Sequence, residues 1–71
     1  MSKIIVEKLD SFGSVIKSKT FDYDQEAQDF FDKLFEEQHK KGHDHVLKKT
    51  VKKDTECTFT NGIVLRVKHT L

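Results

Sequence analysis

A single apolar stripe at helical spacing limits the folds that this chain can adopt. The stripe consists of Ala27, Phe30, Phe31, Leu34 and Phe35. Spacings of three and four residues place these side chains on one face of a helix, because an α-helix completes a turn in about 3.6 residues. The pattern therefore predicts one amphipathic helix over about Asp24–Lys41, which must bury that face against another element.

The ends of this helix carry the usual capping signals. Asp22 or Asp24 is expected to serve as the N-cap, since a short polar side chain there accepts a hydrogen bond from a backbone N–H. Lys40, Lys41 and Gly42 are typical of a helix C-terminus, where cations suit the macrodipole and glycine adopts positive φ. Both ends therefore agree with the limits that the stripe sets.

The residues before the helix follow the alternation of β-strands. Lys3–Leu9 is rich in β-branched residues, and Asp10–Gly13 supplies turn-forming side chains. Ser14–Phe21 then alternates again. We therefore expect these two segments to form a β-hairpin.

The last part of the chain predicts a second hairpin around its Asn-Gly pair. Both a two-residue turn and a three-residue loop, the latter at positions 60–62, fit the spacing. The choice matters because a shift of the strand register by one residue exchanges the two faces of the strand. The hydrophobic pattern favours the three-residue loop, with Gly62 at positive φ. That loop gives the pairs Phe59–Ile63 and Cys57–Leu65.

The segment His43–Asp54 admits two interpretations. Helical periodicity places one stripe along the segment, with four lysines opposite; the stripe contains Val46, Leu47, Thr50 and Val51. The valine and threonine content and the hairpin that follows favour a strand instead. We prefer the strand.

Together these elements predict a single α+β domain over residues 1–71. It consists of a hairpin, one amphipathic helix and a C-terminal hairpin or three-stranded meander, in the order ββαββ or ββαβββ. The helix is expected to pack across one face of a small antiparallel sheet.

Two runs of consecutive apolar residues suggest that the second face of the sheet is also covered. The runs are Ile4–Val6 and Ile63–Leu65, and a strand with one face in water should alternate instead. One helix covers only one face, and a chain of 71 residues buries a small core. A second copy of the chain is the expected cover, although single apolar residues are also often exposed.

Charge is distributed unevenly. Residues 22–37 contain seven acidic residues and one lysine, whereas residues 38–54 contain six lysines and two aspartates. The acidic face of the helix, with Asp29, Asp32 and Glu36, is either a docking surface for a basic partner or a solvated face that maintains solubility.

A basic strand face is the basis of an alternative function. If the segments concerned are strands, Lys48, Lys52, Arg66 and Lys68 project from one face and could neutralise phosphates of a nucleic acid. The net charge of +1 provides little long-range attraction to such a polyanion. Lysines that protect the edges of a sheet are the competing explanation.

The titratable residues do not form a recognised catalytic or metal site. His39, His43 and His45 are close in sequence, but the expected helix end separates them. Cys57 is the only cysteine, and the favoured register buries it. We therefore expect no enzyme activity, no cofactor and no resident metal.

The preferred function is a small non-catalytic protein-binding or regulatory module that forms a homodimer in the cytoplasm. One cysteine excludes an internal disulfide, and a charged residue follows the N-terminus too soon for a signal peptide. The composition, rich in Lys, Asp and Phe without Pro or Trp, resembles that of small accessory proteins of phages and prophages from AT-rich bacteria. The expected contact residues are Ile4, Val6, Val64 and Arg66 on the sheet and the three acidic residues on the helix.

Overall fold

A computed structural model describes residues 3–41 and 50–70 of the chain. It contains four strands, β1 (Lys3–Leu9), β2 (Val15–Phe21), β3 (Thr55–Thr58) and β4 (Val64–Thr70), and one helix, α1 (Asp24–Lys40). Within these residues no helix is both long and apolar enough to span a membrane.

The four strands form one antiparallel sheet in the order β2-β1-β4-β3, and α1 packs against one face of it. The first and last strands of the domain are therefore the central pair. The predicted α+β class and the ββαββ order are both confirmed.

The two faces of the sheet differ because side chains alternate along each strand. On the helix side, Ile4 and Val6 of β1 pair with His69 and Val67 of β4. On the other side, which we call the open face, β1 presents Ile5, Glu7 and Leu9 and β4 presents Val64, Arg66 and Lys68. No described element packs on the open face.

The core lies between the sheet and α1 and contains most of the predicted stripe. Its buried residues are Ile4, Val6, Phe21, Ala27, Phe31, Leu34, Phe35, Val51, Cys57, Phe59, Leu65 and Val67. Phe30 is half-buried at the edge of this core, with its ring centroid 5.4 Å from that of Phe21. Removal of so much apolar surface from water is the main force that holds the helix on the sheet.

Both hairpin loops have the same backbone design. In the β1–β2 loop, the Asp10 N–H donates to the Ser14 carbonyl at 2.9 Å, and the Gly13 N–H donates to the Asp10 carbonyl. In the β3–β4 loop, the Phe59 N–H donates to the Ile63 carbonyl at 2.8 Å, which confirms the three-residue loop. The glycine that ends each loop has a φ near +90°, a conformation that costs little only without a Cβ.

The predicted helix cap is wrong. Tyr23 is the N-cap residue and makes no side-chain capping bond. Asp22 forms an ion pair with Lys3 at 2.7 Å instead, and Asp24 is the first helical residue. The helix ends at Lys40, and the predicted C-terminal Gly42 lies outside the described residues.

The segment before β3 is neither strand nor helix where the structure describes it, so the preferred strand is wrong for residues 50–54. Val51 is buried in the core, and its N–H donates to Oε1 of Gln28 at 3.1 Å. The buried Val51 side chain, its hydrogen bond to α1 and a local bond from the Lys52 N–H to Oγ1 of Thr50 thus help to hold a turn where the valine and threonine content suggested a strand. Residues 43–49 lie outside the described part of the chain.

Candidate interaction surface

The most distinctive feature of the open face is a largely apolar row across all four strands. Val15 of β2 pairs with Leu9 of β1, Leu9 pairs with Val64 of β4, and Val64 pairs with Thr58 of β3. Leu9 is buried between its neighbours, whereas Val64 is half-buried. We call these four residues the apolar row.

Exposed large hydrophobic side chains gather at the same end of the sheet. Phe12 in the β1–β2 loop is 92% exposed, Val15 is 47% exposed and Ile16 is 54% exposed. Ile16 is the extra residue where the register between β1 and β2 shifts, a bulge that turns the strand locally. Water therefore contacts three large apolar side chains, one in the loop and two at the start of β2.

The next row of the open face is charged but internally neutralised. Nε of Arg66 donates to Oε1 of Glu7 at 2.9 Å, and both side chains are largely buried. Glu56 of β3 is the cross-strand partner of Arg66 on its other side. Arg66 is therefore already surrounded by carboxylates of its own chain.

The structure corrects the predicted contact residues on the sheet. Val64 and Arg66 are on the open face as expected, but Ile4 and Val6 are on the opposite face and buried beneath α1. The predicted surface combined residues of both faces, because alternation identifies two sets of side chains without showing which set the helix covers. The β1 residues on the same face as Val64 and Arg66 are Ile5, Glu7 and Leu9.

The acidic residues of the helix are where the periodicity predicts. Asp29 and Glu36 are exposed and Asp32 is half-buried on the outer side of α1. Amide groups of Gln25 and Gln28 donate to Asp29 and Asp32 at 2.9 and 2.7 Å. These helix-internal bonds hold the carboxylates in place, and the role of this face in binding stays a prediction.

The predicted basic face does not form as a single surface. Arg66 and Lys68 share the open face, but Lys52 belongs to the turn before β3 and Lys48 lies outside the described residues. The guanidinium of Arg66 is engaged by Glu7. Lys68 is then the one member of the set that is both exposed and on the open face within the described residues.

Asp54 and His69 form a hydrogen-bonded pair of titratable side chains. Oδ1 of Asp54 accepts hydrogen bonds from the backbone N–H and from Nδ1 of His69, at 2.9 and 2.7 Å. The side-chain bond, followed by the backbone bond, holds the pKa of Asp54 below its usual value. Because an ionised carboxylate only accepts, Nδ1 carries the proton and the pair fixes residues 50–54 to β4.

This pair lacks the surroundings of a catalytic dyad in the part of the chain that the structure describes. Nε2 of His69 is buried without a hydrogen-bond partner, so no hydroxyl or thiol is placed to exchange a proton with it. Cys57 is buried on the adjacent strand, opposite Leu65 as the predicted register requires. The described residues contain no group of three potential metal ligands, and His43 and His45 are not among them.

Comparison with protein-family models, with curated proteins and with solved structures finds no match. Function must therefore be inferred from the surfaces themselves. Sequence reasoning identified Val64 but missed Phe12, Val15 and Ile16. The signal available for them was the presence of three bulky apolar residues in and directly after a turn, where polar residues are usual.

Proposed function

We propose that the protein is a non-catalytic protein-binding module that forms a homodimer through the open face of its sheet. The observation that carries this proposal is the apolar row together with the exposed Phe12, Val15 and Ile16 at its end. Burial of such a region against a second protein surface is favourable at roughly 25 cal/mol for each Å² of apolar area removed from water.

A second copy of the chain suits this surface because the apolar row contains no charge. In a two-fold contact the same surface meets itself, so a charged row would meet like charges. The adjoining Glu7–Arg66 pair is neutralised within one chain, and the net charge of +1 produces little repulsion between copies.

The size of the face sets the strength that we expect. Four strands about 4.8 Å apart and seven residues of about 3.3 Å each give a face of roughly 19 by 23 Å. A stable interface buries about 800 Å² on each partner, which is a substantial part of the 4745 Å² accessible surface of this chain. The open face is smaller than that even when all of it is buried, so Phe12 must also take part, and we expect a weak, micromolar dimer.

We propose the cytoplasm as the location of the protein. A protein with one cysteine forms no internal disulfide, which suits a reducing compartment.

Sedimentation velocity over a range of protein concentrations tests the homodimer. We expect the double variant Val15→Thr/Ile16→Thr to weaken dimerisation at least about tenfold, because threonine keeps the β-branch but removes apolar area. The matched control is Tyr23→Ser, since Tyr23 is 68% exposed and lies at the other end of β2.

An unchanged dimer in the control together with a weakened dimer in the double variant supports the proposal. A wild-type protein that remains monomeric at millimolar concentration overturns it. Equal weakening by both variants also overturns it, because association would then depend on general hydrophobicity rather than on the open face.

A further inference from the structure

Strand β2 is an exposed edge of the sheet. Among the described residues its one neighbour in the sheet is β1, and six of its seven residues are exposed. An edge strand of this kind presents backbone N–H and C=O groups without a partner strand, which is the arrangement to which an additional strand binds.

The helix side of this edge carries a group of cations. Lys17 and Lys19 point to the same side, and the Nζ atoms of both lie 5.8 Å from the ring centroid of Phe30. Nζ of Lys19 also lies 5.4 Å from the ring centroid of Phe21. The two aromatic rings thus form a platform on which the ammonium groups rest beside the edge.

The positive charge at this edge is only partly balanced by the chain itself. Lys8 is the direct cross-strand partner of Lys17, and like charges at such positions repel each other. Lys8 has an ion pair with Glu37 at 3.9 Å. Within the described residues Lys17 and Lys19 have aromatic contacts but no ion pair, so a carboxylate from another molecule would relieve the repulsion.

A second copy of β2 cannot supply that carboxylate. In a two-fold antiparallel pair, residues directly opposite each other must lie on the same face of the sheet. With at least five residues of each β2 strand paired, the two-fold axis must pass through Lys17, Ser18 or Lys19. Each sets a lysine against a lysine, because Lys17 faces Lys17, Lys17 faces Lys19, or Lys19 faces Lys19.

We propose that the β2 edge binds an extended acidic peptide segment of another protein as a fifth strand. Backbone hydrogen bonds hold the segment, and carboxylates at every second position face Lys17 and Lys19. Edge lysines normally prevent pairing with other strands. Here the same lysines exclude the chain itself and basic or neutral strands, and select an acidic one.

A short fluorescein-labelled peptide of alternating threonine and glutamate is the probe, and fluorescence anisotropy is the measurement. We expect it to bind, and we expect the same peptide with glutamine for glutamate to bind roughly tenfold more weakly. Methylation of the alternate backbone nitrogens of the peptide that face β2 should abolish binding, because a methylated nitrogen donates no hydrogen bond.

Variants of the protein test the location of the site. Lys17→Gln/Lys19→Gln should weaken binding roughly tenfold, and Lys17→Arg/Lys19→Arg should retain it. The matched control is Lys52→Gln/Lys53→Gln, which removes two exposed lysines elsewhere and should leave binding unchanged. Circular dichroism verifies that each variant is folded.

Several results would overturn the proposal. They are the absence of peptide binding, equal loss in the Lys52/Lys53 control, and full binding of the methylated peptide, which would indicate charge attraction without strand addition. Tighter binding of a single-stranded oligonucleotide through Lys17 and Lys19 would identify a nucleic-acid site instead. The proposal goes beyond homodimerisation. The variant Val15→Thr/Ile16→Thr separates peptide binding from homodimerisation, because it keeps both lysines and is expected to lose the dimer.

Discussion

The two hairpin loops have one backbone design in two different surroundings. Each loop ends in a glycine at positive φ, and in each the N–H of the residue after that glycine reaches a side-chain oxygen. In the β1–β2 loop the acceptor is Asp10 at the first position, and in the β3–β4 loop it is Asn61 in the middle. Different side chains therefore satisfy the same backbone requirement.

The surroundings of the loops differ more than their geometry. A Cβ on Gly13 would meet nothing within 4 Å, whereas a Cβ on Gly62 would lie 2.6 Å from Cβ of Ser11. Nδ2 of Asn61 also donates to Oε1 of the buried Gln38 at 3.0 Å. The β3–β4 loop thus contacts the other loop and the end of α1, although Thr60 and Asn61 are exposed, whereas the β1–β2 loop presents Phe12 to water.

Gly62→Ala should have the largest effect. Alanine must adopt the positive φ of this position, which is unfavourable for a residue with a Cβ, and that Cβ also collides with Ser11. We therefore expect the free energy of unfolding to fall by about 2–4 kcal/mol. Gly13→Ala is the matched control, because it has the same backbone strain in open space and should cost about 1 kcal/mol. Urea unfolding of both variants measures the difference.

The partner residue provides a second check on this contact. In the background of Ser11→Gly, the colliding Cβ is absent, and Gly62→Ala should cost about as much as Gly13→Ala does alone. Equal costs for the two glycine variants in the wild-type background would show that the loops do not press on each other.

Asn61→Ala should have an intermediate effect. It removes the acceptor of the Ile63 N–H and leaves the carbonyl of the buried Gln38 without its partner, which should lower the free energy of unfolding by about 1–3 kcal/mol. Asp10→Ala removes the acceptor of the Phe12 and Ser14 N–H groups from the β1–β2 loop, where water replaces it, and should cost about 1 kcal/mol. Thermal unfolding followed by circular dichroism compares the two variants. A larger loss of stability in Asp10→Ala than in Asn61→Ala would contradict the distinction between a loop bonded to a buried side chain and a loop that presents its side chain to water.

Phe12→Ser should have the smallest effect on stability. Because the side chain is 92% exposed, we expect the free energy of unfolding to change by less than about 0.5 kcal/mol. Sedimentation velocity should nevertheless show a weaker dimer, since Phe12 belongs to the surface proposed for association. A large loss of stability would mean that Phe12 packs against the rest of the chain.

Much of the fold could be predicted because each element has a strong local signal. The stripe from Ala27 to Phe35 predicted the helix, and the alternation on either side predicted the hairpins. The loop at Gly62 followed from the buried positions of Cys57 and Leu65. Residues 50–54 were predicted wrongly because contacts with other elements, those of Val51 with Gln28 and of Asp54 with His69, hold them in a turn, and local propensity does not contain such contacts.

Less of the candidate surfaces could be predicted, because they depend on which face the helix covers. Ile4 and Ile5 are equivalent in the alternation pattern, and only packing distinguishes the buried one from the half-buried one. The platform of Phe30 beneath Lys17 and Lys19 joins α1 and β2 across the edge of the core. Such contacts arise from the assembled fold and leave no short-range signal in the sequence.

The central position of β1 and β4 has a consequence for how the chain is made. On the ribosome, β1 and β2 can form a hairpin early, but the other side of β1 has no partner until β4 has been synthesised. Its pairing then closes a loop that contains nearly the whole domain, and closure over such a distance is slow compared with formation of a hairpin. During that interval β1 is a second exposed edge, and its consecutive Ile4, Ile5 and Val6 keep apolar side chains in water beside unpaired backbone groups.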